Sequence, residues 1–181
     1  YALELSKKLE AEIILFNVYH VPVPLGESAV NVIPWEELEE HSMSRLMKLK
    51  ENLMFQNEST ATIKCVSKCG FAVDEIAVYA RDNGIDMIIM GTQGASYLSE
   101  RVLGSTTSSL IHETNIPVLA IDKNLEYHPV QKIALAFQHQ NDGNEVNFDS
   151  LKLFSRVFDS HIYILNINTS EEKSTYEHKQ I

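Results

Sequence analysis

The chain is 181 residues long, 44% apolar and 22% charged, a globular composition that excludes a wholly disordered protein. Its 15 Lys and Arg stand against 25 Asp and Glu, a formal charge of −10 with no basic run of five, which excludes a general nucleic-acid or anionic-membrane binder. No apolar stretch approaches the ~18 residues of a membrane span. The two cysteines, Cys65 and Cys69, form no disulfide framework, and their C-x3-C spacing is neither the redox C-x-x-C nor half of a zinc ribbon, so they read as semi-buried thiols in a reducing compartment.

The opening YALELSKKLE reads as the tail of an amphipathic helix, with Leu3, Leu5 and Leu9 apolar, rather than as a signal peptide. Tyr1 is not a Met, and a fragment of something longer is expected. A short β-leaning run, Ala11 to Val18, comes next, then a Pro-containing loop from Tyr19 to Ile33. Pro34 sits where a first helical residue should. Beyond it Trp35, Leu38, Ser42, Leu46, Leu49 and Leu53 recur at steps of three and four, predicting a long helix with one apolar face. Thr60 to Ser67 is a second strand. Gly70 precedes a helix with Ala72, Ile76 and Ala80 inward, punctuated by Asn83-Gly84. Asp86 to Met90 (DMIIM) is a third strand, apolar enough to be covered on both faces. A Gly- and Ser-rich loop leads to a helix from about Gly104 to His112, and Ile116 to Ile121 (IPVLAI) is a fourth strand. Such alternation predicts βαβ units and a parallel sheet.

Asp122 to Pro129 is polar and reads as a linker, after which the pattern restarts. Lys132 to Phe137 is a strand, Val146, Leu151, Phe154, Val157 and Phe158 mark a helix face, and His161 to Ile167 is a strand. "Helix, then HIYILNI" echoes "helix, then EIILFNV" about 150 residues earlier, with Asn17-Val18 and Asn166-Ile167 at matching points.

The chemistry gathers in Gly91-Thr92-Gln93-Gly94, nine residues, then Gly104-Ser105-Thr106. The stretch runs from a buried strand to a helix start, which points backbone N–H groups and a positive helix end at an anion. Glycine lets the backbone approach phosphates, and Ser105 and Thr106 add hydroxyl donors. From the residues alone two readings stand side by side: an anion-binding loop, or an ordinary glycine-bearing connection. Arg101 is the cation within the loop, either a phosphate contact or a solvated charge facing Glu100. His112 reads as surface.

The spacing G-x2-G-x9-G-[ST], bounded by DMIIMG and IPVLAI, with Gly70, Ile76 and Ala80 upstream, resembles the nucleotide-binding signature of the universal stress protein family. The resemblance covers residues 1–122 as one family domain, leaves 123–130 as linker, and makes 131–181 the start of a second, tandem copy. It implies an open parallel five-stranded α/β sheet in the order 3-2-1-4-5 with helices on both faces, like the adenine-nucleotide alpha-hydrolases. In that map Ala11 to Val18 is the second strand and Ile116 to Ile121 the fifth. It further implies that Gly91 and Gly94 line ribose and phosphate, that Gly104, Ser105 and Thr106 hold phosphates, and that Val18 offers its backbone to adenine. The ligand implied is ATP or another adenine nucleotide such as AMP, with or without magnesium. The family's first strand, ending in an Asp that faces the nucleotide, is expected before Tyr1; the alternative is that the Lys132 strand takes its place. In the second copy Gln138 stands at that Asp position and no glycine loop follows, so at most one nucleotide site is expected.

No G-x4-G-K-[ST], G-x-G-x-x-G, G-x-S-x-G or H-E-x-x-H occurs, which excludes P-loop, Rossmann, α/β-hydrolase and zincin readings. The function expected is a cytoplasmic stress-response protein that binds nucleotide with regulatory rather than catalytic output. The alternative is a member without nucleotide, acting as a dimerisation and signalling scaffold toward an unknown signalling partner. An adenylating enzyme is disfavoured by the lack of a Ser-Gly-Gly loop. The Ile116 to Ile121 edge strand is expected to pair with its own copy, as a homodimer or as an intramolecular domain pair.

Overall fold

Helix and strand alternate through residues 1–21, 34–57, 61–92, 103–137 and 148–166, the residues that the computed structural model describes. Helix α1 (Ala2–Leu9) buries Leu3 and Leu5 and ends at Glu10, whose left-handed φ of 52° lets the Ala11 amide donate back to the Ser6 carbonyl at 3.0 Å. The chain then extends into β1 (Ile13–Tyr19). Helix α2 (Trp35–Asn57) leads to β2 (Ile63–Cys69), and α3 (Ala72–Asp82) to β3 (Ile88–Gly91). Helix α4 (Ser105–Glu113) precedes β4 (Val118–Ile121). These elements belong to one unit, Tyr1–Glu126. A separate unit, Tyr127–Ile181, holds β5 (Lys132–Phe137), α5 (Asp149–Phe158) and β6 (His161–Asn166).

Every strand pair is parallel. β1 pairs with β2 in register from Ile13↔Ile63 to Tyr19↔Cys69, β3 with β4 from Ile88↔Val118 to Gly91↔Ile121, and β5 with β6 from Lys132↔His161 to Phe137↔Asn166. The β2-β1 and β3-β4 pairs are neighbours that an order of 3-2-1-4-5 would contain; among the described residues they remain separate two-stranded sheets rather than one five-stranded sheet. In the second unit β5 pairs with β6 among the described residues.

Helices flank both faces of the β1-β2 sheet. Successive strand side chains point to opposite faces, and here the adjacent Phe16 and Asn17 reach different helices. The Phe16 ring lies 4.8 Å from that of Tyr79 on α3. Asn17 donates from Nδ2 to Ser42 Oγ on α2 at 2.7 Å, and Ser42 Oγ in turn shares a hydrogen bond with Ser67 Oγ, the residue paired with Asn17 across the ladder. Ser42 is 4% exposed, while Asn17 and Ser67 are half-buried, so the polar triad is anchored at its buried centre. Helix α3 ends in a turn where Gly84, at φ +61°, lets Ile85 N–H reach the Ala80 carbonyl at 2.9 Å, the C-terminal closure that Asn83-Gly84 predicts.

Three expectations are corrected. β3 is not covered on both faces, since Ile89 is 36% exposed; a two-stranded sheet is too narrow to bury both faces of its strands. The apolar face of α2 is buried only at its middle, Ser42 and Leu46, while Trp35 and Leu49 are exposed. Cys69 is exposed rather than semi-buried, because it closes β2 at the sheet's end; Cys65 is half-buried, and both are free thiols. Cys65 and Cys69 lie on the same face of one strand, about 13 Å apart at ~3.3 Å per residue.

Candidate functional site

The carboxyl end of β3 is tied to β4 by one hydrogen bond and to the start of α4 by two. Thr92 N–H continues the ladder past β3 by donating to the Ile121 carbonyl at 2.9 Å. Gly104 N–H donates to the Thr92 carbonyl at 2.6 Å, closing the neck of the loop between them. Thr107 Oγ1 donates to the Gly91 carbonyl at 2.9 Å, from a residue only 3% exposed. Gly91 and Gly104, thirteen positions apart in sequence, are thereby held at one junction.

Helix α4 starts there with Gly104 as its N-cap and no side chain capping it. Its first internal hydrogen bond runs from Ser108 N–H to the Gly104 carbonyl at 2.9 Å, so the amides of Ser105, Thr106 and Thr107 have no partner within the helix. The first turn carries no acidic side chain, while His112 sits in the last turn, so no side chain of the helix itself opposes the positive end of its dipole. Ser105 is exposed and Thr106 half-buried. Three aligned amides, two accessible hydroxyls and a positive helix end can hold an anion.

Of the residues predicted from sequence, Gly91, Gly104, Ser105 and Thr106 come together at this junction. Gly94 and Arg101 lie outside the described residues. Val18 lies near the carboxyl end of β1, on the other sheet, and no hydrogen bond among the described residues links it to the junction. Its backbone is nevertheless turned away from β2. Ile13 N–H and the Tyr19 carbonyl both bond toward β2, so the alternate residues Ile14, Phe16 and Val18 direct theirs to the opposite edge. Beside Val18, the Tyr19 phenol is raised above its ordinary value by burial, then by the negative charges of Glu39 and Cys69. His112 is exposed, as expected for a surface residue. Among the described residues no three His, Cys, Asp or Glu side chains gather to hold a metal ion.

Sequence reasoning passed over Thr107. It is the third of five consecutive hydroxyl residues, Ser105 to Ser109, and composition does not distinguish them. Helical period does not single it out either, since Thr106 and Thr107 both share a face with the fully buried Leu110.

Parallel strands with helices on both faces, and a helix N-terminus tied to the carboxyl end of a strand, define an α/β protein of the doubly wound kind. The sequence profile of the universal stress protein family matches residues 1–122, and the chain belongs to that family. It is 32% identical over 87 residues to universal stress protein MJ0577 of Methanocaldococcus jannaschii, covering 48% of this chain and 52% of that protein, so it spans about half of that relative's length. It is 28% identical over 113 residues to a universal stress protein of Methanothermobacter thermautotrophicus, covering 62% of this chain and 77% of the relative. The solved structure of hypothetical protein MJ0577 superposes with a TM-score of 0.51 at 28% identity, over 69% of this chain and 88% of the other. Universal stress protein UspA from Lactobacillus plantarum shares the fold, with a TM-score of 0.55 at 20% identity over 66% and 83% of the two chains.

Proposed function

We propose that this universal stress protein binds an adenine nucleotide, ATP or AMP, and acts through the bound state rather than by turning the nucleotide over. The observation that carries this reading is the start of α4: three amides without helical partners, uncapped by any side chain, beside the clasped glycines of G-x2-G-x9-G-[ST]. Phosphates would meet the amides of Ser105, Thr106 and Thr107 and the hydroxyls of Ser105 and Thr106. Gly91 and Gly94 would admit the ribose side, Val18 would present its outward backbone to the base, and Arg101 would meet the outer phosphates. Magnesium, where present, would arrive with the phosphates. The protein is assigned to the cytoplasm, and residues 131–181 to the start of a second domain of the same kind.

Calorimetric titration of the 181-residue chain with ATP and with AMP tests this reading. Binding of ATP is expected, Gly104→Val is expected to abolish it with the circular dichroism spectrum unchanged, and Arg101→Ala to weaken ATP more than AMP. A folded chain that binds neither nucleotide, or a Gly104→Val chain with unchanged ATP affinity, overturns it.

A further inference from the structure

The hydroxyl of Thr107 is engaged away from the ligand side. Ile88 and Thr92 donate their amides toward β4, so Gly91, by alternation, directs its carbonyl to the other edge of β3, where no strand pairs with it among the described residues. Thr107 Oγ1 takes that carbonyl at 2.9 Å. A threonine in a helix ordinarily bonds back to the carbonyl four residues earlier; this one reaches sixteen residues upstream instead. Together with the Gly104 N–H to Thr92 carbonyl bond, it ties two consecutive residues at the end of β3 to the first turn of α4.

Resting on the nucleotide reading, we propose that Thr107 is the positioning residue of the site: its side chain sets the angle of α4 so that the three amides without helical partners converge, and it contributes only its backbone N–H to the ligand. Without the hydroxyl the Gly91 carbonyl loses its donor, the neck is left with Gly104 N–H alone, and the helix start can swing. Preorganised donors lose their advantage when they must be ordered during binding. The phosphates therefore feel the change, and the base does not. The hydroxyls divide accordingly, with Ser105 and Thr106 turned to the ligand and Thr107 to the frame.

The test compares Thr107→Val, which keeps the shape and removes the donor, with Thr107→Ser, which keeps the donor. Two measurements are made on each: amide hydrogen exchange of residues 104–107 without ligand, and affinity for ATP and for adenosine, which has no phosphates. Thr107→Val is expected to exchange faster at Gly104 and to bind ATP about tenfold more weakly, the size of losing one aligned hydrogen bond, with adenosine affinity unchanged. Thr107→Ser is expected to match the unmutated chain in both. Should Thr107→Val fail to fold, the Ser and Ala variants, which differ by the hydroxyl alone, are compared in its place. Unchanged exchange and ATP affinity on loss of the hydroxyl overturn the proposal, as do equal losses of ATP and adenosine. An unmutated chain that binds no ATP overturns the nucleotide reading and the ligand role of Thr107 with it, whereas failure confined to the variants leaves that reading standing.

Discussion

Lys64 and Glu12 show how one exposed pair makes stability depend on pH. Lys64 Nζ lies 2.9 Å from Glu12 Oε1, and the hydrogen bond to Glu12, then its charge, raises the Lys64 ammonium above its ordinary 10.5. A raised folded-state value means that the contribution is fully present below pH 10.5 and is lost as pH rises through the folded-state value. Both side chains are well exposed, so the effect is small and salt-sensitive. Urea midpoints measured at pH 8 and again above pH 11 should fall further for the unmutated chain than for Glu12→Gln. Parallel curves would show that the pair does not contribute. Tyr19 titrates in the same alkaline window and is common to both chains, so the difference between them isolates Lys64.

Also at the residue scale, the pattern G-x2-G-x9-G-[ST] already marks Gly91, Gly104, Ser105 and Thr106, because glycine and hydroxyl residues are chemically distinctive at a strand-to-helix turn. Thr107 is not legible in the same way. Its role depends on a carbonyl sixteen residues away whose direction follows from strand alternation, and no local spacing encodes that.

At the scale of elements, apolar period finds each helix and strand, and the differences lie at the ends. The strand predicted over Thr60 to Ser67 runs from Ile63 to Cys69, because a ladder ends where its partner does and β1 extends to Tyr19. The polar triad of Asn17, Ser42 and Ser67 acts at this scale by fixing α2 against the β1-β2 register. Sliding α2 by one residue would bury three polar groups without partners, at about 1–3 kcal/mol each. Ser42→Ala and Ser67→Ala should therefore each destabilise by ~1 kcal/mol or more, and the double variant by less than their sum, since both break one network. A double-mutant cycle from urea unfolding measures the coupling; strict additivity would mean that the network does not act as a unit.

The two units carry the same junction. In the first, Glu10 at φ 52° ends α1 and Ala11 N–H returns to Ser6; in the second, Asp159 at φ 52° ends α5 and Ser160 N–H returns to Ser155 at 3.0 Å. The echo between EIILFNV and HIYILNI thus extends to backbone geometry, with an acidic residue in a conformation that L side chains rarely adopt. Sequence showed the echo as a pattern of apolar residues. It could not show the left-handed caps, since neither is the glycine or asparagine that usually announces one.

For the whole molecule, the order of strands across the chain is less legible than their existence, because pairing between distant segments leaves no local trace. The outer edge of β4 is the feature with consequences here. Leu119 and Ile121 share their backbone groups with β3, so Val118 and Ala120 direct theirs outward. An apolar edge of this kind invites a second copy, and two-fold pairing is the expected solution. Sedimentation at micromolar concentration should show a dimer. Ala120→Pro should shift it to monomer, because proline removes an outward N–H while sparing the β3-β4 ladder. A monomeric unmutated chain would contradict this assembly.

The placement of the two thiols bears on how such an association is read. Cys65 and Cys69 face the same way from one strand and are separated by about 13 Å, far beyond the ~7 Å that a disulfide can bridge between Cα atoms. Oxidation therefore cannot be absorbed within the β2 strand, and the exposed Cys69 can link only to a thiol brought to it from elsewhere. Two chains joined in this way would run as a covalent pair on a non-reducing gel and separate on adding dithiothreitol, whereas an edge-paired dimer would be indifferent to the reductant and would yield to Ala120→Pro.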